Sequence, residues 1–285
     1  MGFFSSLFSF KPQPDDLKMW QAARAADISP GCHCRMLRDD DGDPFEELHL
    51  HSETQDTACE AWKLLEALIE KAARKRSWNF APGLEMSPEM WRQIVTLPAS
   101  IAKLTSVRRL YLYGSHLARI PPEIGAMKNL RELDIYTSYK LHWLPYEVTH
   151  CRKLRLSRAS TRALYGNYKY RPPFPRLGPE SRNDVFVPGR CSVCGGSISL
   201  PSVRQAWISL RVATDVFPLL VNACSDACIQ KLPKPPEDYL AGPHNGGLES
   251  PQPQRGHMVR GEIISHDELL RQRGIGPRSV QGHKL

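Results

Sequence analysis

Apolar residues recur at Leu97, Ile101, Leu104, Val107, Leu110 and Leu112, and the same spacing returns 23 residues later at Ile120, Ile124, Met127, Leu130, Leu133 and Ile135. A third copy begins 24 residues further on with Leu144, Val148, Cys151 and Leu154. It then degrades, placing Ser157 and Ala159 where its predecessors carry large apolar side chains. The alternation that closes each copy predicts a short strand whose successive side chains face opposite ways. Leu110, Leu112, Leu133 and Ile135 are then expected to point inward, with Arg109, Tyr111, Tyr113, Glu132, Asp134, Tyr136 and Arg158 pointing out. A segment this short cannot bury its own apolar residues, so neighbouring copies must stack. Strands laid in register would also bring Arg109 beside Glu132.

Upstream, Ala58, Trp62, Leu65, Leu68, Ile69 and Ala72 recur at three- and four-residue spacing and predict a helix over Thr57–Arg74, with Cys59 inside it as a packing residue. Ser87 before Pro88 reads as an N-cap followed by the first helical position. Phe45–His51 alternates enough for a strand with Leu48 and Leu50 inward, and Leu17–Ala26 suits a short helix ended by Pro30 and Gly31. The run Asp39-Asp40-Asp41-Gly42-Asp43 fails as a calcium loop, because Gly42 at the sixth position puts Leu37 at the first and Leu48 at the last. It reads as a polar turn.

The repeats, with their Leu97-Pro98, Ile120-Pro121 and Leu144-Pro145 openings, resemble the leucine-rich repeat family. The resemblance implies an α/β fold: a short solenoid with one parallel strand per repeat, whose exposed sheet face binds another protein. Ser115 and Ser138 stand where the family carries its asparagine at the strand exit. So few repeats need caps. The helix over Thr57–Arg74 and the strand over Phe45–His51 are assigned to the N-terminal cap, and Leu154–Leu177 to the C-terminal one, where Pro172, Pro173 and Pro175 would stop the ladder.

A second signal lies further on. Cys191, Cys194, Cys224 and Cys228 have the spacing C-x2-C-x29-C-x3-C, which can close a tetrahedral thiolate shell around structural Zn²⁺ with no position left for solvent. The surrounding stretch resembles a treble-clef zinc finger. Cys191-Ser-Val-Cys194-Gly195-Gly196 would form the knuckle, Gln205–Val212 and Phe217–Val221 a hairpin, and the second cysteine pair a helix start whose dipole favours thiolate. Cys32, Cys34, His49 and His51 are a weaker candidate for a second metal site, with ordinary packing as the alternative.

The chain has 285 residues, eight cysteines and a formal charge of +8. From Cys151 to Gly178 eight basic residues and no acidic one account for that whole surplus, interleaved with Tyr165, Tyr168, Tyr170 and Phe174. Basic residues beside aromatics suit phosphate contact with base stacking, which makes nucleic acid the alternative partner; a solvated rim on the repeats suits them equally. No apolar run reaches the roughly 20 residues that span a bilayer. The opening residues fit a myristoylation pattern at Gly2 and Ser6, with a frayed apolar tip as the alternative. Without a secretory leader the cysteines point to a reducing, cytoplasmic setting.

The expected organisation is a flexible tip over 1–16, an N-terminal cap region over 17–96, repeats with their C-terminal cap over 97–178, a zinc module over 185–233 and a disordered tail over 234–285, Ile263–Arg271 forming a helical turn within it. The functional expectation is a non-enzymatic adaptor. A ubiquitin-ligase-like enzyme has only the Cys224-Ser-Asp226 tripeptide in its favour, and Cys224 is already used as a zinc ligand.

Overall fold

The structure, a computed structural model, describes residues 48–167, 172–178, 187–237, 239–250, 257–259, 262–264 and 271–272. The tip, the expected helix over Leu17–Ala26, the acidic turn, Cys32 and Cys34 lie outside them. The described residues divide between two compact units. The first takes those in 51–160 and 212–216; the second takes those in 48–50, 161–211 and from 217 onward. The class is mixed α/β with an open parallel sheet.

The first unit opens with α1 (Glu60–Arg74). Cys59 is not packing inside this helix: it is the N-cap, its sulfur accepting from the Trp62 N–H at 3.4 Å. The later start leaves Ala58 exposed and brings Ala61 into the buried stripe with Leu65, Leu68, Ile69 and Ala72. The expected strand over Phe45–His51 is not formed where it is described, since residues 48–51 have no regular structure, although Leu48 is buried. After α1 come β1 (Asn79–Phe80), α2 (Pro82–Glu85) and α3 (Pro88–Arg92). Ser87 caps α3 by accepting from the Met90 N–H, and Pro88 holds its first position.

The sheet then grows one strand at a time: β2 (Arg109–Tyr111), β3 (Glu132–Ile135) and, beyond the two-residue β4 (Leu144–Pro145), β5 (Leu156–Ala159). The order is β1-β2-β3-β5 with every pairing parallel. Leu110 faces Leu133, which faces Ser157, so the sequence offsets of 23 and 24 residues become the register of the sheet. β2, β3 and β5 are each reached through a five-residue 3₁₀ turn, Ala99–Lys103, Pro122–Ala126 and Tyr146–His150, entered from Pro98, Pro121 and Pro145. Proline presets φ there, and Ile101, Ile124 and Val148 plug the interior. Adjacent turns pass so closely that a Cβ on Gly125 would lie 2.9 Å from the Glu147 carbonyl oxygen.

At the strand exits Ser115 and Ser138 are buried and share a hydrogen bond of 2.7 Å, and the Ser138 hydroxyl also bonds the Leu112 carbonyl at 3.0 Å. Two serines thus satisfy the backbone where the chain leaves the sheet. The degraded third copy has its own reason. Ser157 is buried, and its hydroxyl meets the Val212 carbonyl at 3.1 Å, the Asp215 carboxylate at 2.7 Å and the Asp215 N–H at 3.2 Å. A leucine there would take this hydroxyl away from the Val212 carbonyl and the Asp215 N–H.

The second unit contains two short 3₁₀ turns (Thr161–Ala163, Leu200–Ser202) and most of the β6 (Arg204–Val212) and β7 (Asp215–Ala223) hairpin. It also holds α4 (Asp226–Ile229) and an antiparallel pair, β8 (His257–Val259) with β9 (Glu262–Ile264). Of the stretch expected as a helical turn, Ile263 and Ile264 lie in a strand, whereas Arg271 is helical. The core of this unit is aromatic: Tyr165, Phe174, Trp207 and Phe217 are at most 2% exposed. The Trp207 ring lies 5.5 Å from Phe174 and 5.9 Å from Tyr165, and its Nε1–H donates to the Pro175 carbonyl. Residues 161–178, expected to cap the repeats, fall in this unit. Part of the segment expected to be loose is paired as well: His244 and Trp207 exchange backbone bonds of 2.8 and 3.0 Å, and Gly247 N–H donates to the Phe174 carbonyl.

Candidate metal centre and exposed sheet face

Three elements of the second unit supply the four cysteines. Residues 191–196 form a tight turn in which Gly195 (φ 72°) donates to the Cys191 carbonyl and Cys191 donates to that of Gly196. Cys191 and Cys194 sit on this knuckle. Ser192 anchors it to β7: its N–H donates to the Asn222 carbonyl and its hydroxyl accepts from the Asn222 N–H. Cys224 follows the last residue of β7, and Cys228 lies in α4. The four sulfurs lie within 4.8 Å of one another, a group that can hold a metal ion. Cys194 and Cys224 approach to 3.6 Å, as do Cys224 and Cys228, and all four are free thiols.

The electrostatics of the cluster favour the thiolate at Cys191 and disfavour it at Cys224 and Cys228. Burial works to raise the Cys191 thiol, but the N–H groups of Cys194, Val193 and Cys224, with the Cys194 thiol, outweigh it and bring Cys191 down to about 6. Proton sharing with Cys194, Cys228 and Cys191 pushes Cys224 up to about 12. A divalent cation is the partner that lets all four ionise together. The support for thiolate comes from backbone N–H groups of the knuckle and of Cys224; α4, with four residues, supplies little dipole. Among the described residues no other group of three or more metal-binding side chains comes together. His51 meets His142 edge-on at 4.9 Å, and His49 joins no such group.

The sheet face of the first unit presents the second candidate. Arg109 and Glu132 pair at 2.8 Å across neighbouring strands, as their register requires. Arg158 pairs with Asp134 at 3.3 Å and lies over the rings of Tyr136 and Tyr113, at 4.9 and 5.8 Å. Tyr136 is 39% exposed. Tyr111 and Asp134 depart from the expectation. Tyr111 is buried against Ala81 beneath Tyr113, and the buried Asp134 carboxylate accepts from the Tyr136 N–H at 3.0 Å. The sequence reading missed Trp78, which is 57% exposed and stacks under the Arg109 guanidinium at 5.4 Å. Its carbonyl accepts from the Arg108 and Arg109 N–H groups, which adds β1 to the sheet. The alternation Trp78-Asn79-Phe80 ahead of Pro82-Gly83 was the available signal.

Only part of the basic aromatic stretch is described. Tyr165 and Phe174 are core residues, Arg176 pairs with Glu249, and Tyr168, Lys169, Tyr170 and Arg171 lie outside the described residues. Among the described residues no helix is long and apolar enough to cross a membrane. Comparison with known proteins gives no matching family model and no matching curated protein.

Proposed function

We propose that this protein is a non-enzymatic adaptor of the leucine-rich repeat type, binding another protein through the outer face of its parallel sheet, with a zinc-stapled, treble-clef-like module in the same chain. The observation that carries the reading is the row formed by Trp78, Arg109, Glu132, Tyr113, Arg158 and Tyr136, in which the exposed Trp78 and Tyr136 and the half-buried Tyr113 alternate with charges already paired. Tyrosine, tryptophan and arginine are the residues that anchor protein interfaces, and pre-paired charges need little rearrangement on docking. The repeat reading is supported by the uniform parallel register and by the serines that occupy the strand exits.

Zinc is the ion the four thiols favour. With Zn–S bonds of about 2.3 Å, a tetrahedron has sulfur–sulfur edges of about 3.8 Å, close to the separations of 3.6 Å between Cys224 and two of its neighbours. A centre of four thiolates leaves no open position, so the metal would act as a structural staple. Such thiols stay reduced in the cytosol, which is the compartment we assign.

The test is a photo-crosslinking residue placed at Tyr136 in native cells. A discrete protein adduct that survives nuclease and is lost on Trp78→Ala supports the adaptor. An adduct abolished by nuclease, or none, overturns it.

A further inference from the structure

The chain passes from each 3₁₀ turn to the next strand through a five-residue segment: Leu104-Thr-Ser-Val-Arg108, Met127-Lys-Asn-Leu-Arg131 and Cys151-Arg-Lys-Leu-Arg155. The parallel register stacks these segments. The Arg131 N–H donates to the Arg108 carbonyl at 2.7 Å, and the Arg155 N–H to the Arg131 carbonyl at 2.9 Å. Arg108, Arg131 and Arg155 therefore occupy successive rungs about 4.8 Å apart, and all three are exposed. Lys128 and Arg152 share a second position on the rungs; Asn129 and Lys153 share a third. Side-chain bonds fix this edge: Asn129 donates to the Thr105 carbonyl at 2.9 Å, and Lys153 donates to the Asn129 side-chain oxygen at 2.7 Å. Lys128, His150, Arg152 and Lys153 line a cleft of about 420 Å³.

No acidic residue occurs in the three segments. Among the described residues none of Arg108, Lys128, Arg131, Arg152, Lys153 and Arg155 forms an ion pair with a carboxylate, whereas Lys63, Lys71, Lys103 and Arg109 of the same unit pair with Glu60, Glu85, Glu70 and Glu132. Six cations held this close repel one another unless an anion sits among them. Net charge alone would scatter them over the surface; the repeat register concentrates them on one edge.

We propose that this edge binds a ligand presenting two or more phosphate groups within about 10 Å, the span of three rungs. Guanidinium forks on successive rungs grip phosphate oxygens in pairs, and lysine ammonium groups supply point charge beside them. The cleft has the volume of a small-ligand site. Among its described lining residues there is no Phe, Tyr or Trp, and the His150 imidazole is the one ring that faces a bound base. The shared chemistry is that of a free oligophosphate and of a multiply phosphorylated lipid headgroup.

The experiment uses the full chain and two probes at physiological salt: inorganic tripolyphosphate by calorimetry, and vesicles carrying a phosphoinositide bisphosphate by sedimentation, with phosphatidylserine vesicles of equal charge as reference. Arg131→Glu with Arg155→Glu is expected to weaken binding roughly tenfold or more. Lys63→Glu with Arg74→Glu, the same charge change on α1, is expected to leave it unaltered. Saturable tripolyphosphate binding without vesicle preference assigns the free ligand; preference for bisphosphate vesicles assigns the headgroup. Absence of both, equal loss in the two double variants, or tighter binding to an unstructured oligonucleotide than to tripolyphosphate overturns the proposal. Should the double reversal fail to fold, Arg152→Ala with Lys153→Ala makes the same comparison.

Discussion

Single side chains explain the places where pattern and structure part. Ser157 breaks the apolar repeat, yet its hydroxyl serves the backbone of residues 212 and 215. Ser157→Ala should cost about 1–3 kcal/mol by stranding those groups, and Ser157→Leu, which restores the repeat, should cost at least as much. Denaturant unfolding measures both; a neutral leucine would mean the hydroxyl is idle. Tyr111, expected on the outer row, is buried, so Tyr111→Ala should lower stability by about 3 kcal/mol, while Tyr136→Ala should change it little. Thermal unfolding of the two variants decides whether the row has been divided correctly. His244 is a different case. Burial beside Phe174 pushes its imidazole down to about 4, below the ordinary value of 6.5. The neutral form is favoured in the folded chain, so its contribution is complete above about pH 6.5 and is lost as pH falls toward 4, by up to about 3 kcal/mol. The stability of the protein minus that of His244→Phe should decline over that window. A flat difference would place His244 in contact with water.

At the scale of elements, the cysteine spacing needed three local structures to become a centre: the glycine turn at 195–196, the exit of β7 and the one-turn α4. The turn and strand were legible, because Gly195-Gly196 and the apolar runs of β6 and β7 are local signals. The support for the Cys191 thiolate was not, because it depends on the N–H of Cys224 arriving from 33 residues away. Cys191→Ser should therefore weaken metal binding more than Cys194→Ser, since it removes the sulfur that three N–H groups stabilise. Competition with a chromophoric chelator ranks the two; equal losses would mean the N–H bonds contribute nothing. The parallel strands were equally legible, from a periodicity that the first two copies carry in full and the third in part. β1 was missed because two residues are too few to show a period.

For the whole chain, the prediction follows from zinc as a staple. Purified protein should carry about one zinc ion, and a strong chelator should expose the second unit while sparing the first. Hydrogen exchange would then rise in the β6 strand around Trp207 and remain low in β2 and β3. Exchange rising first in β2 and β3 would mean that the division into units does not match the division of stability.

The sequence by itself determined the stacked parallel strands, the inward leucines and the candidate metal ligands, because repeat spacing and cysteine spacing are complete within short windows of chain. Tertiary structure alone decided which polar residues are buried, that Tyr165 and Phe174 pack around Trp207, and that cations from three separate turns share one edge. Those outcomes depend on groups far apart in the chain being brought into contact, and no local pattern encodes the distance between them.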